Sequence, residues 1–142
     1  MELIYTWKEL KTAQDRIQAI ASRTDEICDK HHGAFGPFKA EYNRLWQERH
    51  DLQDKVEKMR RQTIPEVGMP CTVIFYSDRS AAKVTNILSP KCIEVKMCGI
   101  YSGKKVFTYR SNGHWVEKGT TSKDWGTLLG IGFQENHFDM EY

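Results

Sequence analysis

Phe107-Thr108-Tyr109-Arg110-Ser111-Asn112-Gly113-His114-Trp115-Val116-Glu117-Lys118-Gly119 decides how the second half of this chain is read. Two runs rich in aromatic and β-branched residues flank Asn112-Gly113. That dipeptide is the strongest short-range hairpin signal, because a type I′ turn needs positive φ at both central residues. Such a turn fixes the register. It places Arg110 opposite Trp115, Tyr109 opposite Val116, Thr108 opposite Glu117 and Phe107 opposite Lys118. Side chains alternate across a strand, so Thr108, Arg110, Trp115 and Glu117 are expected on one face, and Phe107, Tyr109 and Val116 on the other. A guanidinium beside an indole, with a hydroxyl and a carboxylate next to them, makes a surface for a nucleotide. The same pair can also simply cover a sheet face.

Strand signals continue on both sides of this hairpin. Runs at about 70–76, 81–88, 92–98, 104–110, 114–117 and 127–133 are separated by Ser77-Asp78-Arg79, Ser89-Pro90 and Ser102-Gly103. Ile93, Val95 and Met97 alternate with Glu94 and Lys96, the pattern of a half-buried strand. Short sequential strands with tight turns predict an antiparallel β-meander or small partly open barrel.

The first half is helical. Thr6 with Glu9 three residues later forms a capping-box pattern, and a helix is expected from about 6 to 30. His31-His32-Gly33-Ala34-Phe35-Gly36-Pro37 breaks it. A second helix is expected from about 37 to 62, with Pro37 at its first position. Its apolar stripe runs Phe38, Tyr42, Leu45, Arg49, Leu52, Val56 and Met59, the alternating steps of a heptad seam, interrupted by Arg49. The chain therefore reads as α+β, with an antiparallel helical hairpin over 1–64 and a β domain over 65–142. The seam can serve the hairpin alone, or meet the sheet or a second copy of itself. The length of the seam predicts a homo-oligomer, at least a dimer, with helices at the contact and Arg49 paired to an acid of a neighbour, Asp51, Asp54 or Glu48.

Composition narrows the partners. The formal charge is only +2, whereas a general DNA binder carries a strong basic excess. Residues 65–133 hold nine Lys/Arg against five Asp/Glu, which suits a small anionic ligand. No apolar run approaches eighteen residues, so no membrane span is expected, and residues 1–5 lack a signal-peptide pattern. Cys28, Cys71, Cys92 and Cys98 show no CxxC spacing and are expected to be reduced.

Chemistry-bearing clusters are few. Asp78 and Glu117 could act as an acid/base pair, but Asp78 also suits a turn and Glu117 a lysine partner. Cys28 with His31 and His32 lacks a fourth metal ligand nearby. No GxGxxG or P-loop pattern is present. No enzyme activity, metal or cofactor is therefore expected. Binding residues remain. Arg79 and Arg110 are the arginines after the helices and suit phosphate. Tyr76, Phe107 and Trp115 can stack on a base, and Ser77, Asp78 and Thr108 can reach ribose hydroxyls. Asn112 suits the turn or a base edge.

Tyr76-Ser77-Asp78-Arg79, then Phe107 to Gly119, then Leu128-Leu129-Gly130-Ile131-Gly132-Phe133 and His137-Phe138-Asp139 follow one another in a recognisable order. The pattern covers about half the chain. It resembles a family of small phage proteins, the Thoeris anti-defence proteins of the first type. The resemblance implies a non-enzymatic sponge, active in the cytoplasm of an infected bacterium. It implies binding of the cyclic ADP-ribose isomer made by a TIR-domain enzyme, with cyclic oligonucleotides as further ligands. Relatives often carry a basic residue shortly after the LxxG element, where this chain has Phe133-Gln134. A dinucleotide-sized site in so small a β domain is expected to be completed by a second subunit. Two other functions fit the same residues: a β-barrel module that binds single-stranded nucleic acid, and an enzyme that cleaves cyclic nucleotides.

Overall fold

A computed structural model describes residues 2–31, 36–75, 78–119 and 127–137. The chain divides into two compact units, Lys8–Met59 and a second made of Met1–Trp7 with Arg60–Tyr142.

The first unit is the helical hairpin. Helix α1 (Trp7–His31) and helix α2 (Lys39–Arg61), the latter preceded by a 3₁₀ turn at Gly36–Phe38, match the expected spans within two residues. Ile20, Ile27 and Leu45 form a buried cluster, with Phe38, Tyr42 and Leu52 packed against it. The heptad seam of α2 thus finds its partner in α1 of the same chain. Arg16 forks onto Glu48 and Arg23 onto Glu41, with N–O distances of 2.8–3.2 Å. The two pairs are seven residues apart on each helix, so they fix one antiparallel register. Hydrogen bonds from the guanidinium groups hold both carboxyls below their ordinary range. At the middle of the seam, Arg49 keeps a buried Nε with no hydrogen-bond partner among the described residues.

The second unit is a barrel. Its strands are β1 (Pro70–Phe75), β2 (Asp78–Ser89), β3 (Cys92–Cys98), β4 (Ser102–Tyr109), β5 (Trp115–Glu117) and β6 (Leu128–Ile131). Each pairs antiparallel with the next, and β6 returns to β1 through Cys71↔Ile131 and Val73↔Leu129, so the sheet closes. Closure removes the unpaired edges that the partly open form would leave.

The register explains the core. Cys71 faces Ala82, Val84 faces Val95, Ile93 faces Phe107, Tyr109 faces Trp115, and Trp115 faces Leu129. All nine side chains are buried. They are the alternate residues of their strands, so one face of every strand fills the interior. Thr85 is the extra residue at a bulge in β2, and its hydroxyl bonds the Glu94 carboxylate at 2.9 Å. Tyr5 bridges Thr63, and the Ile4 and Tyr5 amides both donate to the Gln62 carbonyl. Residues 2–6 therefore belong with the chain leaving α2. No helix among the described residues is long and apolar enough to cross a membrane.

Burial pushes the Cys71 thiol up to about 12, with Cys98 adding to the shift, whereas Cys98 itself is exposed. Iodoacetamide at pH 8 is therefore expected to label Cys98 in the native protein and Cys71 only after denaturation. Peptide mass mapping reads this directly. Labelling of native Cys71 at the rate of Cys98 would contradict the closed core.

Candidate functional site

The hairpin around Asn112-Gly113 exists, but its register is one residue away from the expected one. Phe107 faces Glu117, Thr108 faces Val116 and Tyr109 faces Trp115. Arg110 N–H donates to the His114 carbonyl at 2.9 Å, and Gly113 N–H to the Arg110 carbonyl at 3.0 Å. Gly113 has φ +85°. This is a three-residue loop ending in a left-handed glycine, not a two-residue type I′ turn. The Asn112 side chain accepts from His114 N–H at 3.1 Å, so it builds the loop. A slip of one residue moves a whole strand's side chains to the other face. Trp115 therefore leaves Arg110 and Thr108 and joins Phe107 and Tyr109 in the interior, and Val116 moves out beside Thr108. The reason is energetic. An Arg–Trp pair is worth about 0.5–1 kcal/mol at an exposed site, while burying an indole against Tyr109, with ring centroids 5.0 Å apart, is worth several times that.

A meander puts successive turns at opposite ends. The β1–β2 and β3–β4 turns share one end of the barrel, and the β2–β3 and β4–β5 turns share the other. Asp78 and Arg79 therefore lie at one end, and Arg110 and Asn112 at the opposite one. The structure does not bring the two arginines together within one barrel. Thr108 is half-buried near the Arg110 end, and its hydroxyl lies 3.5 Å from the Val116 carbonyl. Phe107 is fully buried. Tyr76 and Ser77 lie outside the described residues.

At the Asp78 end the inward-facing positions form a mouth. Phe75 and Tyr101 meet with ring centroids 5.1 Å apart. The Tyr101 hydroxyl donates to Asp78 Oδ2 at 2.7 Å, and Tyr101 N–H donates to Ser80 Oγ at 3.2 Å. Lys105 Nζ sits 3.0 Å from Glu117 Oε1 and 5.6 Å from the centre of the Phe75 ring. Both members of that ion pair are about three-quarters to two-thirds shielded. An aromatic pair, a carboxylate and an ammonium thus sit together at this end of the barrel.

Arg79 is the next residue along β2, so it faces outward. Its Nη1 lies 2.5 Å from Glu135 Oε2. Arg79, Glu135, Asn136 and His137 line an open cleft of about 640 Å³. A returning tail builds this cleft. After β6 the chain turns at Gly132, and the Thr72 hydroxyl donates to the Phe133 carbonyl and accepts from Glu135 N–H. Asn136 Oδ1 accepts from the Ala81 and Ile100 amides. His137 then exchanges both backbone bonds with Arg79. A Cβ on Gly99 would fall 1.9 Å from Asn136 Oδ1, so only glycine lets the tail approach there.

No protein-family model, curated protein or solved structure matches this chain. Function therefore rests on the site itself. Sequence reasoning found Asp78 and Arg79 but missed Phe75, Tyr101, Lys105 and the Glu135–His137 segment. Phe75 and Tyr101 are 26 positions apart, and nothing in their spacing announces the contact. Of the two roles open to Glu117, an acid/base pair with Asp78 or a lysine partner, the structure shows an ion pair with Lys105. Among the described residues no group of three His, Cys, Asp or Glu could hold a metal ion, and His32 lies outside them.

Proposed function

We propose that the protein binds and sequesters a cyclic nucleotide immune signal, a cyclic ADP-ribose isomer, without cleaving it. In this reading it acts in the cytoplasm of an infected bacterium and blocks Thoeris defence. The mouth formed by Phe75, Tyr101, Asp78 and Lys105 carries the reading. The ring pair offers a plate for adenine, the Asp78 carboxylate an acceptor for a ribose hydroxyl, and Lys105 a cation for phosphate. The resemblance of the motif order to that of the phage sponge family supports the same reading. Arg79 at this end and Arg110 at the other reach one pyrophosphate only if two copies meet, so the ligand-bound form is a dimer or a higher homo-oligomer. An acid of the second copy would also satisfy Arg49.

The test is direct. The protein is incubated with a panel of cyclic ADP-ribose isomers and cyclic oligonucleotides, washed and heated, and the released material is identified by mass. An intact cyclic species is expected. Linear ADP-ribose forming faster than without protein would make it an enzyme, and nothing retained would end the sponge reading.

Tyr101→Ala is expected to weaken binding by about 1–3 kcal/mol, the range for one base stacked on an aromatic ring. That is roughly fivefold to more than a hundredfold. Tyr101→Phe, which keeps the ring and loses the Asp78 bond, should lose less. Equal losses in a calorimetric titration would shift the weight from the ring to the hydroxyl.

A further inference from the structure

Three lysines stand side by side on the outside of the barrel, facing away from its interior. Lys83 on β2 faces Lys96 on β3, and Lys96 faces Lys104 on β4. Their neighbours along each strand, Ala82, Val84, Val95 and Met97, are buried. The lysines therefore project outward, and all three are exposed. Adjacent strands are about 4.8 Å apart, so the ammonium groups form a ladder whose outer rungs start about 10 Å apart. Lys104 has a distant carboxylate in Glu94, at 3.8 Å. Among the described residues, Lys83 and Lys96 have no carboxylate within salt-bridge distance.

This arrangement costs stability. Like charges directly opposite each other repel, and lysine is depleted in strands. Strand lysines often guard a sheet edge against pairing with another chain. Here β2, β3 and β4 are interior strands of a closed barrel, so no edge needs guarding. A linear row of cations relieved of its repulsion by a linear row of anions fits the geometry.

We propose that the outer face of β2–β4 is a contact site for the sugar–phosphate backbone of single-stranded nucleic acid. One phosphate sits on each rung. The positions beside the ladder are Cys98 and Ser102 on one side and Asn86, Glu94 and Val106 on the other. None of these is aromatic, so the bases are not stacked and the contact is independent of sequence. The overall charge of +2 does not oppose this, because the field is local and reaches only about a Debye length.

The experiment is a fluorescence anisotropy titration of fluorescein-labelled dT15 with the full chain, at NaCl from 20 to 150 mM. Three phosphate contacts predict a slope of log K against log salt of about −2. Lys96→Gln should make the slope shallower by about 0.7, and the triple Lys83→Gln/Lys96→Gln/Lys104→Gln should lose at least tenfold in affinity at 20 mM. The melting temperature should stay level or rise, since repulsion is relieved. Lys8→Gln/Lys11→Gln, two exposed lysines of α1, should keep the wild-type slope. No binding by the wild type at 20 mM NaCl would overturn the proposal. So would full binding by the triple variant, or an equal loss in the α1 variant. Retention of polyphosphate in place of dT15 would overturn it as well.

Discussion

Trp115→Ala is expected to lower the unfolding free energy by about 3–5 kcal/mol, the cost of emptying a large aromatic from a packed core. The indole is only 2% exposed. It lies against the Tyr109 ring and opposite Leu129, and the barrel has little freedom to close over the space it would leave. Domain stabilities are usually about 5–15 kcal/mol, so the variant should unfold at much lower urea. Trp115→Phe should be far milder. The indole nitrogen is buried without a hydrogen-bond partner among the described residues, so phenylalanine loses volume but no hydrogen bond. Urea midpoints of the two variants and the wild type check this. A Trp115→Ala midpoint near wild type, with ligand affinity lost, would return the indole to the ligand face.

The second large effect concerns affinity. Arg79→Ala and Arg110→Ala are each expected to weaken ligand binding by about 1.5–3 kcal/mol, the range for hydrogen bonds to charged groups. That is roughly tenfold to more than a hundredfold. The Arg79–Glu135 pair is about half exposed, so its loss should scarcely move the melting temperature. Because the two arginines occupy opposite ends of one barrel, the pattern of losses locates the ligand. Losses in both, with a dimer or larger mass by light scattering, mean that the ligand spans two copies. A loss for Arg79 alone confines the site to the mouth and its neighbouring cleft. Full affinity in both removes the arginines from the site.

Local patterning made most of the architecture legible. The heptad steps from Phe38 to Met59 are enough by themselves to name the buried face of α2. The alternation at Ile93, Val95 and Met97 gives β3 to the residue. What failed was register. Asn112-Gly113 satisfies both a two-residue and a three-residue loop, and the choice was made elsewhere, by how much aromatic surface Trp115 could bury. The mouth was out of reach for a similar reason. Phe75 and Tyr101 become neighbours only once β1, β2 and the β3–β4 turn converge. Glu135 and His137 reach Arg79 because Thr72 hooks the tail from about sixty residues away, a contact with no short-range signature.

Pairing of β1 with β6 has a consequence for synthesis. The hairpin of α1 and α2 joins residues close in sequence and can form as soon as both helices leave the ribosome. The barrel cannot close until residues 128–131 are made, because Cys71 and Val73 wait for Ile131 and Leu129. During that interval β1 presents a bare strand to other nascent chains. Contacts of such long sequence separation also slow refolding, so dilution from denaturant should show a fast helical phase followed by a slower one that is sensitive to protein concentration.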